Sequence, residues 1–274
     1  METVLRPPSF SIERLRRSLI LLTHYGDLLV VLTAHRIKVR YKQSTLGPVW
    51  AILQPLAMMI IFATVFSVVA RMPSGGHPYA VFAYAGLLPW TTFAAALSSA
   101  SVSMISHASL VTRVSFPREI LPVTYVAAAF FDLAIASTVL GAMLLYYGVA
   151  LTPAVLWILP VAIVLAGFTT ATSLALCAVN VRVRDIGVAM PLLLQFWMFA
   201  SPVIYPLDAI PAEWRRLYLV NPMAGIVDGF RRAVLDGRPP DAGSLGTAAL
   251  VTFVALPLAY AWFKHVDATM ADLV

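Results

Sequence analysis

The stretch HRIKVRYKQSTLGPVWAILQPLAMMIIFATVFSVVA, residues 35–70, decides how the rest of the chain is read. It opens with Arg36, Lys38, Arg40 and Lys42, turns at Gly47 and Pro48, and runs uncharged over residues 49–70. At a rise of about 1.5 Å per residue, such a run crosses a hydrocarbon layer of about 30 Å. Basic residues resist translocation, so the four cations assign this mouth of the span to the cytoplasm. Outward from it the chain repeats one grammar: apolar span, short polar turn, apolar span.

Composition points the same way. Of 274 residues, 60% are hydrophobic and 12% charged, whereas a globular domain carries about 25% charged residues. The expected fold class is therefore all-α, a polytopic membrane protein. The net charge of +6 does not indicate nucleic acid. Eight of the nineteen Lys and Arg (Arg6, Arg14, Arg16, Arg17, Arg36, Lys38, Arg40, Lys42) precede the first span, as the positive-inside bias requires, and no aromatic residues interleave them as a base-stacking stripe. The single cysteine, Cys177, lies in an apolar run, which indicates an inert buried thiol and neither a disulfide framework nor a metal cluster. Arg14, Arg16 and Arg17 break the first apolar stretch and no small-residue cleavage site follows, so no secretory signal is expected.

Residues 1–45 form a cytoplasmic N-terminus. Over residues 25–39, Tyr25, Leu28, Leu29, Leu32 and Val39 share one side of a helical wheel, with Arg36 and Arg40 at its edge and Lys38 and Lys42 opposite. This predicts an amphipathic helix flat in the membrane interface, its basic side chains snorkelling to lipid headgroups. Residues 36–42 also alternate with period two, but the helical pattern reaches further back than a strand would.

Six spans are expected within residues 46–264: 49–70, 79–105, 122–149, 153–179, 188–205 and 245–263. The second is rich in small residues (Ala94, Ala95, Ala96, Ser98, Ser99, Ala100), which let helices approach closely, so it is expected to be buried in protein. Residues 107–121 and 180–187 are basic cytoplasmic loops. In residues 207–243, Asn221 followed by Pro222 is a helix-start signal and Gly237 a stop. Six spans leave both termini, including a tail at 265–274, in the cytoplasm. Thirteen Lys and Arg then lie inside and six outside; the outer Arg215, Arg216, Arg231, Arg232 and Arg238 strain the rule. A seven-span chain with a flipped C-terminus is the alternative.

Six segments together resemble the permease subunit of type-2 ABC exporters, in the polysaccharide and polyol-phosphate export family that handles O-antigen, capsule and teichoic acid. They are RYKQSTLGPVWAILQP (residues 40–55), GLLPWTTF (86–93), VSFPREILP (114–122), NVRVRDIG (180–187), SPVIYPL (201–207) and NPMAGIVDGFRRAVL (221–235). The resemblance implies a homodimer in the bacterial inner membrane, enclosing a channel above two separate ABC ATPase subunits. It also implies a lipid-linked glycan as substrate. The sequence has no G-x-x-x-x-G-K-[ST] loop to cradle phosphates, so ATP and magnesium would belong to the ATPase and this chain would carry no cofactor.

On that resemblance, Ser109, Leu110, Arg113, Val114, Phe116, Arg118 and Glu119 form an ATPase-coupling segment, whose alternative is an ordinary basic loop. Residues 207–243 supply re-entrant gate helices with Trp214 and Tyr218 on the first and Asn221, Phe230 and Arg231 on the second; a cap on the membrane surface is the competing reading. Tyr84, Trp90 and Phe93, with Phe196, Trp197 and Phe199 behind them, are candidates for lining a channel by stacking on sugar rings, although interface belts are a commoner fate of membrane aromatics. Asp132, alone in the third span, is costly unless it meets water or a partner; it is a candidate lumen-facing or interhelical hydrogen-bonding group, with structural pairing the favoured reading over a proton relay. A membrane-embedded enzyme is disfavoured: the spans hold one carboxylate and no histidine, and neither H-E-x-x-H nor G-x-S-x-G occurs. A drug or lipid exporter is the rival within the transporter class.

Overall fold

The computed structural model describes residues 25–42, 44–69, 72–114 and 116–273. The expected basic residues Arg6, Arg14, Arg16, Arg17 and Arg71 lie outside the described residues. Among those described, all regular structure is helical. In chain order α1 is Gly26–Lys42, α2 Val49–Phe62, α3 Tyr79–Ser101, α4 Ser103–Ser106, α5 Ala108–Arg113 and α6 Ile120–Tyr146. There follow α7 Ile158–Arg182, α8 Asp185–Phe199, α9 Ala212–Tyr218, α10 Pro222–Val234 and α11 Ala242–Leu273.

Among the described residues, five helices are long and apolar enough to cross a membrane: Val49–Ser67, Tyr79–Ser101, Ile120–Tyr146, Pro153–Arg182 and Ala242–Asp267. The helix expected as a further crossing, α8, has 15 residues, about 22 Å at the α-helical rise, after which the chain turns over residues 200–205.

The second span sits at the centre. Of its hydrophobic window 78% is buried, against 17% for the first span and 28% or less for the others. Its small residues allow this, because α2, α6, α7, α8 and α10 all pack on α3. Gly86 marks the closest approach: a Cβ there would fall on the Arg231 guanidinium and 2.6 Å from the Val203 carbonyl oxygen.

Three expectations are corrected. The N-terminal segment is a helix, but α1 packs along α6. Its half-buried side carries Tyr25, Leu28, Leu29, Leu32, Arg36 and Ile37, while Val39 is exposed. Arg36 and Arg40 are therefore not free to snorkel, because both engage α6. The coupling segment is helical only over Ala108–Arg113, and residues 116–119 turn into α6 without helix. Finally, the last helix does not stop at Lys264 but runs unbroken through the expected tail to Leu273.

Candidate functional site

Two clusters gather nearly all the residues singled out above, one at each end of the bundle. The basic end carries α1, the loop between α3 and α6, the turn between α7 and α8, and Lys264.

At the basic end, Arg40 Nη1 lies 2.6 Å from Asp132 Oδ2, and the Tyr41 hydroxyl donates to the other carboxylate oxygen. The intramembrane carboxylate is thus paired, with a partner 92 residues away in sequence. Beside the pair opens a small notch lined by Gln54, Pro55, Thr91 and Thr92. One helical turn back on α1, the Arg36 guanidinium sits 4.1 Å from the centre of the Tyr125 ring. Lys38 and Lys42 are exposed.

In the loop that follows, Ser109, Arg113 and Val114 are exposed, and Leu110 and Phe116 are half-buried against an apolar cluster containing Val111, Phe263 and Val266. Arg118 and Glu119 depart from expectation. Glu119 is 3% exposed and receives Lys264 Nζ at 2.6 Å and the Tyr260 hydroxyl at 3.2 Å. Arg118 donates to the Asp267 carboxylate at 3.1 Å and to its backbone carbonyl at 2.8 Å. Both side chains are engaged within the chain, Glu119 buried and Arg118 partly exposed. Asn180 explains the NVRVRDIG motif: its amide donates to the Ser101 carbonyl at 2.9 Å and accepts from the Gly187 N–H at 3.0 Å, joining three elements.

The aromatic candidates for a channel wall also need correction. Tyr84 and Phe93 have no exposed surface and Trp90 is 4% exposed. The Tyr84 hydroxyl donates to the Ala136 carbonyl at 3.0 Å. Phe93 stacks on Phe168 with centroids 5.5 Å apart and meets Trp197 edge-on at 5.0 Å. Rings packed on every side inside the chain have no face to offer a sugar. Phe196, at 67% exposure, and Phe199 are the ones turned outward.

At the opposite end, α10 begins as the local sequence demands. The Asn221 side chain accepts from the Met223 N–H at 3.2 Å, capping the helix, with Pro222 at its first position. The same side chain accepts from Trp197 Nε1 at 3.1 Å and donates to the Ala200 carbonyl and Ser201 Oγ. One amide thus fastens α10 to the end of α8. Gly237, with φ +61°, turns the chain away after α10 in the left-handed region that glycine tolerates. Trp214 is exposed, and the Tyr218 and Tyr205 hydroxyls hydrogen-bond to each other. Phe230 is buried and, with Val234, helps to wall an apolar crevice of about 240 Å³ beneath α6 and α7.

Arg231 makes the densest set of contacts. It is 5% exposed, and its guanidinium lies 3.7 Å from the centre of the Phe82 ring. Nε donates to the Phe82 carbonyl at 3.1 Å, Nη1 to the carbonyls of Pro202 and Tyr205, and Nη2 to that of Val203. Burial lowers its pKa, with Asp228, Tyr79 and Asp236 opposing; donors aimed only at carbonyl oxygens keep the group charged at neutral pH. Asp228, one turn earlier, has a buried Oδ2 without a hydrogen-bond partner. Burial pushes its carboxyl up to about 6, Arg232 and Arg231 pull it down, and Asp208 and Asp241 add to the rise.

Sequence reasoning picked out Arg231 and Asn221 but not what they hold. It missed Tyr41, Tyr260, Lys264 and Asp267 altogether. The i, i+3 spacing of Lys264 and Asp267 at the end of an apolar run was the one local signal for the latter two.

Residues 27–235, from α1 to the end of α10, match the family model described as ABC-2 type transporter. The O-antigen export system permease protein RfbA of Myxococcus xanthus is 31% identical over 245 residues, 89% of this chain and 94% of that protein. The protein of the same name from Klebsiella pneumoniae is 29% identical over 77% of this chain and 81% of its own length. The polysialic acid transport protein KpsM of Escherichia coli is 25% identical over 85% and 91%. A match that runs from α1 through α10 and covers all but the last span places this chain in the ABC-2 type transporter family, as a membrane-spanning permease.

Proposed function

We propose that the chain is the transmembrane subunit of an exporter that moves a lipid-linked polysaccharide of the O-antigen type outward across the bacterial inner membrane. Two copies would enclose the path, and two separate ABC ATPase subunits would supply the energy, holding the ATP and magnesium. The observation that carries this reading is the end-to-end similarity to relatives named for O-antigen export and polysialic acid transport. The missing phosphate-binding loop agrees with it.

In this reading α8 and the turn after it make the remaining crossing, which leaves both termini with the basic loops in the cytoplasm. The ATPase meets α5 through Ser109, Arg113 and Val114, the exposed residues of the coupling segment. Helices α9 and α10 form the gate, with Trp214 and Tyr218 on the first and Asn221, Phe230 and Arg231 on the second. They fold back from the outer side, α10 packed against α3 and α11.

Two measurements test the reading. Charge reversal by Arg113→Glu, with Val114→Asp beside it, is expected to lower recovery of the ATPase with the tagged permease by about ten-fold; unchanged recovery removes α5 from the docking surface. Trp214→Cys is expected to react with a membrane-impermeant maleimide from outside intact cells. The native Cys177 is buried and stays silent. Labelling solely from the cytoplasmic side overturns the orientation.

A further inference from the structure

Every charged side chain between residues 116 and 121 is committed to the last helix. Glu119 immediately precedes α6, and its side chain makes no capping bond to the first turn. It goes instead to Lys264 and Tyr260, while Arg118 goes to Asp267, across 141 to 149 positions of sequence. Lys264 Nζ also lies 3.5 Å from Asp267 Oδ2, which closes two acids and two bases into one network. Beneath it, Val111 of α5 shares an apolar cluster with Phe263 and Val266 of α11. The loop helix is therefore tied to the last helix by packing, and the junction that follows it by an ionic network.

We infer that Arg118, Glu119, Lys264 and Asp267 form a latch, through which movement of α5 is passed to the last span. In this role Arg118 and Glu119 are positioning residues and not ATPase contacts. The physical ground is rigidity. Residues 118–119 join α5 to α6 without helix, so a push on α5 would be absorbed there unless something stiffened the junction. The Arg118 and Glu119 side chains, crossing to Asp267 and Lys264 of α11, do so. They convert a displacement of the loop into a displacement of residues 260–267, and hence of α10 and α7, against which α11 packs most. This rests on the reading above that α5 meets an ATPase.

The experiment uses the native complex, purified through a tag on the full chain and reconstituted in liposomes with radiolabelled lipid-linked O-antigen polysaccharide. Glu119→Gln, Lys264→Met and the milder Arg118→Gln are each expected to raise the ATP hydrolysed per polysaccharide exported by about five-fold or more. The exchanged pair Glu119→Lys with Lys264→Glu is expected to return that ratio to within about two-fold of the parent. Where the exchanged pair fails to fold, Arg118→Lys takes its place as the conservative rescue of Arg118→Gln. A parent ratio in the single variants, or no recovery in the folded rescue, overturns the latch. A parent complex that contains no ATPase overturns the reading of α5 instead, and the lever role with it. A double-mutant cycle on the thermal unfolding of the permease alone still reads the Glu119–Lys264 contact in that case.

Discussion

At the basic end, Arg40 meets Asp132, Arg118 meets Asp267 and Lys264 meets Glu119, each pair with at least one side chain only partly buried. At the opposite end, Arg231 meets no carboxylate; it is sunk among backbone carbonyls from α3 and the 202–205 turn. The difference teaches which end can move. A partly exposed ion pair exchanges its partner for water at little cost, typically about 1 kcal/mol or less. A guanidinium buried on carbonyls cannot leave without stranding several acceptors, at about 1–3 kcal/mol each. The Arg40–Asp132 pair, with the Arg40 side chain 44% exposed, is thus suited to repeated rearrangement, whereas Glu119, its side chain 4% exposed, holds its network with Lys264, Arg118 and Asp267 in place. By contrast, α10 is bound to α3 and the 202–205 turn as one body, so any gate built from it moves with them.

The most severe way to break this comparison is to remove the buried guanidinium. Arg231→Met is expected to cost about 3 kcal/mol or more, because carbonyls in contact with Arg231 lose their donors. It should show as loss of monodisperse protein or a fall of about 10 °C in the unfolding temperature in detergent. A variant as stable as the parent would mean that those carbonyls are satisfied otherwise. Asn221→Ala comes next. It deletes the cap of α10 and the tie to α8 together, for about 2 kcal/mol in the same assay, and Asn221→Asp should recover the cap but not the two donated bonds.

At the basic end the effects shrink. Arg40→Met is expected to lower the unfolding temperature by about 3 °C or less, since Arg40 is nearly half exposed, and part of the parent's margin should vanish in high salt. A loss as large as that of Arg231→Met would erase the contrast between the two ends.

The smallest effect concerns Asp228. Its folded pKa is raised to about 6 from an ordinary carboxylate value, chiefly by burial. The folded state therefore binds a proton more tightly than the unfolded chain, and this group's contribution grows as pH falls from above 6 toward 4. Unfolding measured from about pH 7.5 down to about pH 5 should show a stabilising component of about 2 °C in the parent. Asp228→Asn should lack it and be the more stable of the two at neutral pH. Identical pH profiles would mean that the carboxylate is solvated.

How much of the site was legible varied with the range of the interaction. The start of α10 was plain in Asn221 and Pro222, because capping is settled within three residues. The pairing of Asp132 was legible as a need, since a carboxylate inside a span demands a partner, but Arg40 and Tyr41 as the answer were not. Arg118 and Glu119 were misassigned because charges in a loop between spans look solvent-exposed until the last helix is seen to continue past Lys264 and lie beside them. Tyr84, Trp90 and Phe93 were misplaced for another reason. A helix that is apolar all round carries no periodicity to say which face meets lipid, protein or lumen.

By itself, then, the sequence determined a helical membrane protein with basic loops at one end, a buried second span and a capped helix at residue 222. Each of these follows from hydrophobicity, small-residue content or capping, which act along the chain. Tertiary structure alone decided which cation answers Asp132, where Arg231 is buried, and that the coupling loop is fastened to the last helix. Those are meetings of groups 26 to 149 positions apart, and only the packing of the spans brings them within hydrogen-bond reach.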